Sequence, residues 1–231
     1  DPAPFRPDPN HDEEWNRGAY LVEGPGHCGA CHSTRNALGA APKAGSGAYA
    51  GGEAEGWIAP PLNADTPAPV PWTQLALVNY LIDGWDGDHG IAGGPMRPVA
   101  DDLYEQSEDD VFAIAAYVMT LKGGELSKEE QEARAAAAHE AAGKLEWGAA
   151  DAPAVPEDPV LQAGAKVFEA QCANCHKAGG EPAPLALGTV VHLPKADNFL
   201  RAVILGVQPP RGVPDRSMPA RKVEGPADWP P

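Results

Sequence analysis

The sequence predicts a mostly α-helical fold of two similar units joined by a helical, proline-rich linker. Self-similarity is the first observation behind this. Trp15-Asn-Arg-Gly-Ala-Tyr-Leu-Val leads into Cys28-Gly-Ala-Cys31-His32, and Leu161-Gln-Ala-Gly-Ala-Lys-Val-Phe leads into Cys172-Ala-Asn-Cys175-His176, with Gly18 and Gly164 at matching places. Helical spacing is the second: Val111, Ile114, Ala115, Val118 and Met119 form one apolar stripe. The third is 26 Gly and 26 Pro in 231 residues with no repeat period, which predicts long ordered loops and not collagen.

The first unit spans residues 1–122. After its motif helix comes a proline-rich loop at Ile58 to Leu62. A helix follows from about Thr73 to Ile82, which Pro71 can open. A Gly-rich loop then holds Met96. The last helix has Ser107 as N-cap and Asp109 and Asp110 in its first turn, where the helix dipole favours anions, and Gly123-Gly124 stops it. The linker, 123–158, opens with Ser127 and Glu130 at capping-box spacing. Its Ala-rich run, Ala133 to Ala142, has high helix propensity but few bulky apolar groups, so it is expected on a surface. The stretch from Asp151 to Pro159 reads as a stiff connector. The second unit, 159–231, has a motif helix, a proline-rich loop at Glu181 to Leu187, a helix at about Ala196 to Leu205 and a loop with Met218. A helix equivalent to 107–121 is not expected in the proline-rich residues that follow.

Net charge is −16, unevenly spread: residues 1–122 carry −12, residues 123–158 carry −6 and residues 159–231 carry +2. An acidic surface favours solubility, and the asymmetry suggests that the two halves face different partners. So acidic a chain excludes nucleic acid as a partner. No segment reaches the roughly 20 apolar residues that span a bilayer. The chain opens at Asp1 in a proline-rich stretch without a signal peptide, as a processed mature chain would.

The four cysteines fall into two C-x-x-C pairs, each followed at once by His. Two unrelated zinc or redox pairs would need both histidines by coincidence. On a helical turn, two thiols three residues apart reach the vinyl groups of one haem and form thioethers, and the adjacent His aims Nε2 at the iron. Cys28, Cys31, Cys172 and Cys175 are thus expected to hold two covalently bound haem c groups, with His32 and His176 as proximal ligands. Met96 and Met218 lie in stiff Pro-bearing loops, one per unit, and a soft thioether there suits the distal face of each iron. His27, His89, His192 and Lys195 are rival ligands; Met119 belongs to a helix core, and His11 and His139 to the surface. Each proximal imidazole needs a carbonyl for its Nδ1–H. Pro61 and Pro184 are the expected acceptors. Arg35 is a candidate partner for a haem propionate and Trp57 a candidate to pack on the first haem.

Arg17 to Arg35, Trp57-Ile-Ala-Pro60, Ala92-Gly-Gly-Pro-Met96 and the helix Asp110 to Leu121 resemble the haem domains of cytochrome c subunits that serve membrane-associated alcohol and gluconate dehydrogenases. The resemblance covers about residues 12–121 and, more loosely, 160–220. It implies two tandem cytochrome c-like haem domains, with iron held by His32 and Met96 and by His176 and Met218. It also implies a periplasmic, extracytoplasmic location, since haem c is attached there. The relatives often have three haems and a membrane-bound tail, whereas two motifs and no such tail are expected here.

The expected function is electron transfer between an extracytoplasmic dehydrogenase or respiratory partner and a second redox protein, with no catalytic residues of the chain's own. A haem enzyme, such as a dihaem peroxidase or a thiosulfate-oxidising cytochrome, is the alternative, and haem-based sensing a third. Both need an open sixth position, against which one loop Met per unit argues. No phosphate-binding loop, nucleophile elbow or dinucleotide fingerprint is present.

Overall fold

The computed structural model describes residues 4–40, 42 and 47–220. The first unit runs α1 (Glu13–Glu23), α2 (Gly29–His32), β1 (Gly52–Ala54), β2 (Trp57–Ala59), α3 (Gln74–Ile82), β3 (Trp85–Asp86), β4 (Gly90–Ile91), α4 (Met96–Leu103) and α5 (Glu108–Leu121). The linker holds α6 (Lys128–Leu145). The second unit has α7 (Pro159–Gln171), two 3₁₀ turns (Leu185–Leu187, Thr189–His192) and α8 (Asp197–Leu205).

Local chemistry sets the helix starts. Asp12 accepts from the Trp15 amide at 2.8 Å, and Glu13 and Glu14 fill the first turn of α1. Thr73, two residues after the expected Pro71, caps α3 through the Ala76 amide. Ser107 caps α5, and Ser127 caps α6 through the Glu130 amide, as the sequence predicts. Asp158 caps α7, with Pro159 at the first helical position.

The core of the first unit forms where α1 crosses α5. Ala19 and Val22 pack with Leu77, Val78 and Leu81 of α3 and with Val111, Ile114, Ala115, Val118 and Met119 of α5. Gly18 makes the crossing possible, because a Cβ there would come within 1.9 Å of the Ala113 carbonyl oxygen. Arg17 clamps Asp110 with two hydrogen bonds of 2.7 and 2.8 Å, which hold that carboxyl below its ordinary pKa.

Two antiparallel hairpins were not foreseen. β1 pairs β2, with Glu53 opposite Ile58, and β3 pairs β4, with Trp85 opposite Ile91. Strands of two or three residues carry no readable alternation. The first hairpin turns at Glu55 and Gly56, both at positive φ (53° and 76°), as a two-residue type I′ turn requires.

The Ala-rich linker helix is not confined to the surface. Ala135, Ala138 and Ala142 of α6 form a small-residue stripe against Val70 of the first unit and Leu187 of the second. His139, on the same helix, meets Asp88 at 2.7 Å. Small side chains let α6 approach both units closely, which bulkier residues would prevent.

In the second unit α7 has no buried residue. A Cβ on Gly164 would meet nothing within 4 Å, and Leu161 and Val167 are 50% and 61% exposed. The helix that covers α1 has no counterpart over α7 among the described residues. Most of the stretch after Met218 lies outside them.

Candidate functional site

Each C-x-x-C-H motif forms one tight turn after its leading helix, beyond the Gly24 to His27 loop in the first and directly at the C-cap of α7 in the second. In the first, the Cys31 and His32 amides donate to the Cys28 carbonyl at 3.3 and 3.0 Å; in the second, those of Cys175 and His176 donate to the Cys172 carbonyl at 3.1 and 2.9 Å. None of the four cysteines is in a disulfide. A glycine packs on each turn: a Cβ on Gly52 would lie 2.3 Å from the Cys31 carbonyl oxygen, and one on Gly180 would lie 2.5 Å from that of Cys175. This pair of close approaches, absent from the sequence reading, needs glycine at both places.

His32 is buried on the β1–β2 hairpin. The Gly51 amide donates to its carbonyl at 3.0 Å, and its Nδ1–H donates to the carbonyl of Pro60 at 2.7 Å. The expected acceptor was Pro61. The difference arises because Pro60, the first residue after the strand, turns its carbonyl towards the motif, while the Pro61 ring packs at Gly51. The bond to Pro60 makes Nδ1 the protonated nitrogen and leaves Nε2 with a lone pair.

His176 differs. Its Nδ1 is buried without a partner. Pro184, the expected acceptor, instead takes the Leu187 amide at 2.9 Å and starts a 3₁₀ turn. The ring lines a small cleft of about 50 Å³ with Leu145, Trp147, Phe168, Leu185 and Ala186. Trp147 and Phe168 lie 5.5 Å apart, ring centre to ring centre. Trp147 comes from the linker, and no local signal in the sequence tied it to this motif.

Met96 begins α4 and is not in a free loop; it packs against the same core as Cys28. The Trp57 ring lies against Gly94, two residues before Met96. Met218 is half-buried and exchanges main-chain hydrogen bonds of 2.7 and 3.0 Å with Val207. Arg35 is committed to its own loop, donating to the carbonyls of Gly39 and Ala30 at 2.8 and 3.0 Å. Two of the rival ligands, His89 and His192, are engaged elsewhere. Both ring nitrogens of His89 face acceptors, Asp86 at 2.6 Å and Val70 O at 3.1 Å, and its ring stacks 3.5 Å from Trp72. His192 donates to the Ala186 carbonyl at 2.7 Å, and His27 is exposed in a positive-φ turn.

A family model described as cytochrome C oxidase, cbb3-type, subunit III, matches residues 159–227. A nicotinate dehydrogenase subunit of Pseudomonas putida is 41% identical over 212 residues, 89% of this chain and 16% of that protein. The gluconate 2-dehydrogenase cytochrome c subunit of Pantoea cypripedii is 33% identical over 189 residues, 76% of this chain and 38% of its own length. This chain is a cytochrome c resembling such dehydrogenase subunits. A diheme cytochrome c-type protein of Cereibacter sphaeroides is also similar, 43% identical over 108 residues, 46% of this chain and 34% of its own. The cytochrome spans 38% or less of the length of each of these relatives.

The residues of the cytochrome fit haem c. Burial, opposed by the Pro60 hydrogen bond, holds the His32 imidazole below its ordinary pKa, and burial does the same at His176. Both rings therefore favour the neutral form, the form that binds iron. Burial pushes the Cys28 thiol up to about 11, so it is no reactive thiolate. Among the described residues no three His, Cys, Asp or Glu side chains converge as a metal-ion cluster. No helix there is long and apolar enough to cross a membrane.

Proposed function

We propose that this cytochrome carries two haem c groups and passes electrons between an extracytoplasmic dehydrogenase or respiratory partner and a second redox protein. The observation that carries the reading is the shared geometry of the two motifs, the same turn with the same amide-to-Cys-carbonyl bonds at 3.0 and 2.9 Å. When bound, haem c supplies a one-electron couple tuned by its axial ligands, its burial and nearby charge.

In this reading Cys28 and Cys31 tether one haem, and Cys172 and Cys175 the other. His32 and His176 supply the proximal nitrogens. The Pro60 carbonyl fixes the tautomer of His32 and raises its basicity through Nδ1–H. Met96 and Met218 supply the thioethers, which favour the reduced iron more than a second imidazole would. Trp57, against the Met96 turn, shields the first haem from water. The similarity to dehydrogenase cytochrome subunits supports the partner class and the location outside the cytoplasm.

Visible and EPR spectra of oxidised Met96→Ala and Met218→Ala variants test the ligand sets. Each is expected to lose the low-spin His/Met signature of one haem and keep that of the other. An unchanged spectrum in either variant would refute that methionine's assignment.

A further inference from the structure

We infer that Asn198, supplied by the second unit, is a positioning residue for the His32 site of the first. The inference rests on the reading of His32 as an iron ligand.

Asn198 is 8% exposed, on the first turn of α8. Its side chain clasps one residue of β2 from both sides: Ile58 N–H donates to Oδ1 at 2.8 Å, and Nδ2–H donates to the Ile58 carbonyl at 2.8 Å. In an antiparallel pair, alternate residues turn both main-chain groups away from the partner strand. Ile58 is such a residue, and Asn198 takes the place of a third strand along that edge. One turn later on α8, Arg201 lies over Gly56 in the hairpin turn, its guanidinium 2.6 Å from where a Cβ would be. The second unit therefore grips this hairpin at both its strand and its turn.

The hairpin is also the support of the motif in the first unit. Gly52 packs on the Cys31 carbonyl, Gly51 bonds the His32 carbonyl, and Pro60 accepts from His32 Nδ1–H. Only Ala59 separates the clasped Ile58 from Pro60. Ala59 precedes one proline and Pro60 precedes another, so both have a restricted backbone. The connection from the Asn198 amide to the Pro60 carbonyl is short and stiff. A displacement of Ile58 moves that carbonyl and weakens its bond to the imidazole. A weaker bond makes His32 less basic, which favours the reduced iron.

The test uses the full haem-loaded chain and an Asn198→Leu variant, with each haem followed in a redox titration through the NMR signal of its own axial methionine. The expected result is a positive shift of the first unit's midpoint potential, an unmoved second potential, and faster solvent exchange of His32 Nδ1–H. If Asn198→Leu does not fold, Asn198→Ser, too short to reach both groups of Ile58, is measured in its place. Arg216→Lys is the control, since Arg216 joins the second unit to the first through the Trp85 ring of β3, 3.7 Å away, and not through the β1–β2 hairpin. A wild-type first potential in the Asn198 variants, or an equal shift in Arg216→Lys, overturns the inference. A mass showing no haem at Cys28 and Cys31 overturns the His32 reading itself, and this inference with it.

Discussion

Gly18 and Gly164 hold the same place in two matching helices, but α5 lies against the first and the second stands open. A Cβ on Gly18 would collide with the Ala113 carbonyl at 1.9 Å, and one on Gly164 would touch nothing within 4 Å. Gly18→Ala is expected to force α1 and α5 apart and cost about 1–3 kcal/mol, as overpacking does. Gly164→Ala is expected to stabilise α7 by about 0.5–1 kcal/mol, because only the helix propensity changes. Chemical denaturation of both variants checks this. Equal effects would mean that α7 is covered as α1 is.

Tyr49 and Tyr117 converge on one carboxylate, each donating to Glu23 at 2.7 Å. Burial, with this bond and the Glu23 charge, raises both phenol pKa values well above the ordinary tyrosine range. The folded-state values lie above those of the unfolded chain, so the stabilisation is complete below about pH 10. As pH rises past that value the unfolded chain ionises first, and stability falls by up to about 1.4 kcal/mol per pH unit for each phenol. Urea unfolding between about pH 9 and 11 should show this slope, reduced in Tyr49→Phe and again in Tyr49→Phe/Tyr117→Phe. Parallel curves for all three proteins would remove the role given to the pair.

Leu187 is 1% exposed in the cluster that joins the units, against Ala142 of α6 and Val70. Leu187→Ala is expected to cost about 2–5 kcal/mol, the range for emptying a buried leucine site. The loss should loosen α6, so limited proteolysis within 123–158 should accelerate. Cleavage at the wild-type rate would show that α6 is held by something else.

The sequence made legible whatever is local. Ser107 and Ser127 announced their helices, the 111–119 stripe announced the core of the first unit, and the motifs announced their own turns. What it hid depends on contacts distant along the chain. Asn198 is one polar residue in a short helix, and its partner lies 140 residues away. The α6 stripe is made of alanines, which read the same whether buried or exposed. The Pro60 carbonyl, and not that of Pro61, faces His32 because a hairpin too short to show periodicity orients it. Trp147 reaches the His176 cleft only because α6 docks between the units.

Charge separates the two halves, with −12 over residues 1–122 and +2 over 159–231. A basic redox partner should therefore meet the first unit faster at low ionic strength. Stopped-flow electron exchange with such a partner should slow as salt rises from 10 to 200 mM, where the Debye length falls from about 30 Å to below 10 Å. Rates independent of salt would contradict this steering.

Haem stoichiometry decides whether both motifs carry haem. The chain, matured with haem attachment, is assayed by haemochrome absorbance against protein concentration and by intact mass. Two haems per chain are expected, falling to one in Cys28→Ser/Cys31→Ser and to one in Cys172→Ser/Cys175→Ser. A single haem in the wild-type chain, or two in either double variant, would contradict the two-haem reading.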